Sequence, residues 1–101
     1  MTPQDARLLE ASEMGNIIEA KAALLNGANA NAERLNRLMP LQIAVSNGDV
    51  EMARLLIENG ADVESGGDWH RLPINSKIPL ENALDIAMLL IQNGARFGYM
   101  K

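Results

Sequence analysis

The sequence predicts an all-α solenoid, one domain of stacked antiparallel helix pairs joined by loops. Three observations predict it. Glycines recur at a near-constant spacing of about 33 residues, from Gly15 to Gly48, from Gly27 to Gly60 and, with one residue added, from Gly60 to Gly94. The same words surround the later stops, as Leu25-Asn26-Gly27-Ala28, Glu58-Asn59-Gly60-Ala61 and Gln92-Asn93-Gly94-Ala95. The apolar residues, 48% of the chain, are mostly Ala, Leu, Ile and Met, and aromatics are only 3%. Such side chains lose little rotamer freedom in a helix. A two-helix unit of this length cannot bury its apolar face alone, so the units must stack.

Each element has its own signals. Thr2 can cap a helix that begins at Pro3, and Asp5 is placed to complete a capping box. Ala6, Leu8, Leu9, Ala11 and Ser12 then form a small apolar face, and Gly15 ends the helix. A second helix is expected from about Ile17 to Asn26, with Gly27 as a left-handed stop. Ala28 to Ala32 is interrupted by asparagines, and Glu33 to Met39 reads as a loop. Pro40 opens a short helix ending at Gly48, and Asp49 caps the next. In that helix Val50, Met52, Ala53, Leu55, Leu56 and Ile57 are the expected buried side. Glu51, Arg54 and Glu58 are the wet side, spaced to pair along the surface.

The third unit is irregular. Leu72-Pro73-Ile74 lies one full period after Met39-Pro40-Leu41, but Pro79 falls where its first helix should still run. Proline inside a helix costs about 3 kcal/mol. The first helix of this unit is therefore expected to be short or absent, followed by a long helix from about Pro79 to Asn93. Leu84, Ile86, Ala87, Leu89, Leu90 and Ile91 make that helix apolar nearly all round. Met88 stands at the outer position held by Lys21 and Arg54 in the earlier copies. A terminal repeat needs a polar outer face. Either the tail Phe97-Gly98-Tyr99-Met100 covers the apolar one, or it is a surface for a partner or for homo-oligomerisation.

These residues resemble an ankyrin-repeat protein. The family's turn-and-helix signature, Thr-Pro-Leu-His-x-Ala, is matched in part by Met39-Pro40-Leu41-Gln42-Ile43-Ala44. Pro40, Leu41 and Ala44 agree; Met39 and Gln42 replace the Thr and His whose side chains tie the turn together in the family. The second-helix ending, a Leu-Leu pair followed by Gly-Ala-Asp, is matched by Leu55-Leu56 and Gly60-Ala61-Asp62. The resemblance covers residues 4 to 97 and implies repeats at about 4–36, 37–69 and 70–101. It also implies that proteins bind the concave surface made by the finger loops and the exposed side of each first helix.

Composition excludes several functions. The net charge is −4, from 13 acidic and 9 basic residues, and no basic footprint for nucleic acid is visible. Asp49, Glu51, Glu58, Asp62, Glu64 and Asp68 fall close together, opposed in that span only by Arg54. They are either a solvated face or an acidic patch that steers a basic partner. Cysteine is absent, which excludes disulfide and thiolate chemistry. The longest apolar run, Ile86 to Ile91, is far short of a membrane span. With no evident signal peptide, a cytoplasmic protein is expected. The single histidine, His70, has no spacing that predicts a triad with Ser46, Ser65 or Ser76. Asp68, His70 and Glu64 make only a weak metal pattern, and Gly66-Gly67 lacks the context of a phosphate loop. No enzyme, metal or cofactor is expected.

Protein recognition is the function expected. Local patterning puts Leu35, Asn36 and Leu38 on the first loop, and Asp68, Trp69, His70 and Arg71 on the second. The exposed first-helix positions are Glu13 and Met14, then Ser46 and Asn47, then Leu80 and Glu81. Trp69 is the residue singled out, because Trp and Arg are enriched at interface hot spots. It is either an exposed anchor or a plug on the irregular third repeat. The expected role is to bind one partner protein, as an adaptor or as an inhibitor that masks a basic surface in the manner of an immunity protein. The competing reading is a structural unit that stacks through its last helix.

Overall fold

The structure, a computed structural model, describes residues 2–34, 38–63 and 79–94. The described residues form five helices: α1 (Pro3–Met14), α2 (Ile17–Leu25), α3 (Pro40–Ser46), α4 (Val50–Glu58) and α5 (Leu80–Gln92). The first four make two hairpins. α1 pairs with α2 and α3 with α4, while α1 lies on α3 and α4 lies on both α2 and α5.

The sequence signals act where expected. The Thr2 hydroxyl accepts the Asp5 backbone N–H at 3.1 Å, and the Asp5 carboxylate accepts the Thr2 N–H at 3.3 Å. Asp49 accepts the Met52 N–H at 3.1 Å. Asn16 accepts the Glu19 N–H at 3.1 Å and caps α2, a role the sequence reading did not give it. In α3 the replaced signature keeps half of its tie: the Met39 N–H donates to the Gln42 side chain at 2.9 Å. Each second helix ends on an asparagine that bonds back one turn: Asn26 to the Ala22 carbonyl, Asn59 to Leu55 and Asn93 to Leu89, all at 2.7–2.8 Å. The repeated Asn-Gly word is therefore a repeated C-terminal cap.

The core runs the length of the stack. Leu8, Leu41, Met52, Leu56, Ile86 and Leu90 are fully buried. Burying one such side chain contributes about 1.5–3 kcal/mol. Small residues let the helices approach: Ala11, Ala20, Ala23, Ala44 and Ala53 are buried between them. Ser12 joins them because its hydroxyl donates to the Leu8 carbonyl at 2.9 Å. Two expectations shift. Ala6 is exposed, and in α4 only Met52, Ala53 and Leu56 are buried, with Val50, Leu55 and Ile57 partly covered.

Asparagines also clip one repeat to the next. Asn31 accepts the Asp62 N–H at 2.7 Å and donates to the Gly60 carbonyl at 3.0 Å. Asn47 donates to the Glu13 carbonyl at 3.3 Å, and Asn82 to the Gly48 carbonyl at 3.1 Å. Helix ends leave carbonyls without intrahelical partners, and here a neighbouring repeat supplies a donor. The long third-unit helix forms as expected, from Leu80 to Gln92. The region of its weakened first helix lies outside the described residues.

Candidate protein-binding surface

The surface is built on the C-terminal ends of the first helices. α1 ends at Met14 and α3 at Ser46, and Glu13, Ser46 and Asn47 are exposed there. The Asn47–Glu13 bond holds these two ends side by side. The loop that follows α2 returns to the same place. The Arg34 N–H donates to the Leu38 carbonyl at 3.0 Å, narrowing the loop, and the Arg34 guanidinium donates to the Glu13 carboxylate at 2.6 Å. That contact holds the Glu13 carboxyl below the usual carboxylate range. The result is a polar cluster of Glu13, Arg34 and Asn47 beside the partly exposed Leu38. Sequence reasoning missed Arg34, whose charge has no periodic signal and whose partner lies in another element.

Two other carboxylates of α1 and α2 are fixed elsewhere on the first hairpin. Asp5 accepts the Asn29 N–H at 2.8 Å, which lowers its pKa and ties the start of α1 to the exit of α2. Glu19 accepts from the Arg7 guanidinium at 2.7 Å, which lowers its pKa in turn. Among the described residues the ion pairs are Arg7–Glu19 and Arg34–Glu13. The pairing expected of Arg54 with Glu51 and Glu58 is not among them, although all three are exposed.

The predicted contact residues fall into three groups. Glu13, Ser46, Asn47 and Leu38 are exposed, and Glu13 and Asn47 are brought into contact. Met14 is exposed but lines a separate cleft with Arg7, Glu10 and Glu19. Leu35, Asn36, Asp68, Trp69, His70 and Arg71 lie outside the described residues, as does the weak metal pattern of Glu64, Asp68 and His70. Among the described residues no three or more metal-ligating side chains cluster, and no helix is long and apolar enough to cross a membrane.

Known proteins share this repeat. The chain is 36% identical over 58 residues to a transient receptor potential cation channel subfamily A member 1 homolog from Caenorhabditis elegans, which is 57% of this chain and 5% of that protein. It is 38% identical over 55 residues to potassium channel GORK of Arabidopsis thaliana, 54% of this chain and 7% of that protein. Potassium channel AKT2/3 of the same plant is similar at 38% over 56 residues, again with 7% of its length matched. The chain thus spans less than a tenth of these relatives. A family model of ankyrin repeats in three copies matches residues 8–100. The hairpins, the asparagine-glycine stops and this match agree, and the chain belongs to the ankyrin-repeat family.

Proposed function

We propose that the chain binds one partner protein through its finger loops and the exposed edge of its first helices. Ankyrin repeats mediate protein–protein interaction, which gives the general class. The observation that supports this surface is the cluster of Glu13, Arg34 and Asn47, with Ser46 and Leu38 exposed beside it. A polar, partly preorganised rim with an apolar neighbour is the composition of a protein interface. The net charge of −4 favours a basic partner, and the role is adaptor or masking inhibitor.

Affinity capture tests this with four baits: wild type, Trp69→Ala, Ser46→Arg and, as a control on the outer side of α2, the exposed Lys21→Ala. The expected result is that the partner of this surface is held by wild type and by Lys21→Ala. Both concave-side variants lose it, with unchanged thermal melting. Equal recovery by wild type, Trp69→Ala and Ser46→Arg overturns the assignment of this surface.

A further inference from the structure

The last helix carries a face that the rest of the fold would cover. In α2, Ile17 and Leu24 are partly buried against the core, and in α4 so are Val50 and Ile57, their equivalents one repeat further on. The next repeat step, lengthened by one residue, reaches Leu84 and Ile91 of α5, and these are 56% and 48% exposed. Leu80 and Met88, at 62% and 59%, extend them into a stripe. The spacing of four, four and three residues keeps that stripe on one side of the helix for about 16 Å. The opposite end of the stack is finished differently. Where α3 buries Pro40 and Ile43, α1 has Arg7 and Glu10.

Charge selects the occupant. Glu81 and Asp85 are exposed one turn apart along one edge of the stripe, and residues 79–94 contain no Lys or Arg. An antiparallel two-fold pair of α5 helices would set both acidic edges on the same side, like charge beside like, and a parallel pair would leave each acidic edge without a cation. A second copy stacked end to end would lay the stripe on a cleft in which Arg7, Glu10 and Glu19 surround a single exposed Met14, and would bring Glu10 and Glu19 toward Glu81 and Asp85 of the same charge. We propose that the stripe on α5 docks an amphipathic helix of another protein. Its apolar residues, spaced i, i+4 and i+7, meet Leu84, Met88 and Ile91, and Lys or Arg along one edge meet Glu81 and Asp85. Charge of this kind sets specificity and orientation, while the apolar contact supplies the affinity.

The test uses the full chain and two synthetic helical peptides of equal length with one leucine face, edged by lysine in one and by glutamate in the other. Fluorescence anisotropy is expected to show the lysine peptide binding at least tenfold tighter than the glutamate peptide, and weakening as salt rises. Leu84→Ser/Met88→Ser should lose at least tenfold in affinity for the lysine peptide. Glu81→Lys/Asp85→Lys should reverse the preference. All four positions are exposed, and circular dichroism checks that the variants stay folded. Three outcomes overturn the proposal. Neither peptide binds, as it would if residues 95–101 already occupy the stripe. Both bind equally. Or the wild type sediments as a dimer that Leu84→Ser/Met88→Ser converts to a monomer, which assigns the stripe to a second copy.

Discussion

The first and last described helices meet water in opposite ways. At the first end, the positions that α3 buries as Pro40 and Ile43 are filled in α1 by Arg7 and Glu10, and Arg7 is tied to Glu19. At the last end, the positions half-covered in α2 and α4 stay apolar in α5 and face water as Leu84 and Ile91. A repeat fold is held by neighbour contacts, so a helix face left exposed either carries polar residues in place of apolar seam residues or takes another cover. The difference teaches that burial in this fold belongs to a position's neighbour and not to the residue alone. It follows that α5 should be firmly held on one face and free on the other.

That contrast is broken most directly within α5 itself. Ile86 is fully buried against the core. Ile86→Ala should cost about 2–5 kcal/mol, the range for removing a large aliphatic side chain from a packed site. Leu84→Ala on the uncovered face should change stability by less than about 0.5 kcal/mol. Urea denaturation followed by circular dichroism measures both. Equal losses would mean that the stripe is covered within the isolated chain.

At the junction of the first two repeats, the expected loss is smaller. Gly15 closes α1 at φ 69°, where an added Cβ is disfavoured by about 1–2 kcal/mol. The same Cβ would stand 3.2 Å from the Asp49 carboxylate that caps α4. Gly15→Ala should therefore cost about 2 kcal/mol, the upper end of that range. The loss should exceed that of Gly27→Ala, whose added Cβ meets nothing within 4 Å. A thermal melt that ranks Gly27→Ala as the more damaging would remove the proposed coupling between Gly15 and the next repeat's cap.

How much of this could be read from the sequence depends on the range of the interaction. The glycine period, the Thr2 and Asp49 caps and the extent of α5 were legible because each is local or strictly repeated. Arg34 on Glu13 and Asn31 on Gly60 and Asp62 were not, since each joins residues distant in the chain that carry no joint pattern. The burial of α4 was half legible. Its apolar side was correct in direction, but coverage of Val50 and Ile57 depends on the repeat that follows. Of the candidate contact residues, the first-helix set was placed and the loop set around Trp69 was not. Removing one long-range clip measures the illegible part. Asn31→Ala takes away two inter-repeat hydrogen bonds at a site open to water, and about 1 kcal/mol should be lost. An unchanged urea midpoint would show that the Asn31 clip adds nothing to the contact between these repeats.

Acid should find the weaker end of the comparison, with the smallest effect of the set. The pKa values of Asp5, Glu13 and Glu19 are all lowered in the folded chain, first by the Asn29 N–H, the Arg34 guanidinium and the Arg7 guanidinium respectively. A carboxyl whose folded pKa is lowered contributes stability that is fully present above its unfolded value, near pH 4. The contribution is lost as pH falls through the lower folded value. All three groups lie in α1 and α2, so acidification should loosen the first repeat before α4 and α5. Amide hydrogen exchange at pH 7 and near pH 3, corrected for intrinsic rates, reads the repeats separately. Greater loss of protection in α5 than in α1 would contradict the assignment. Salt separates the causes, because the partly exposed Arg7 and Arg34 ion pairs weaken in high salt, where the Debye length falls to about 3 Å at 1 M. The short Asp5 bond to the Asn29 N–H is screened less. If the first repeat keeps its acid sensitivity in high salt and loses it in Asp5→Asn, the hinge of the effect is the α1–α2 tie rather than the ion pairs on the surface.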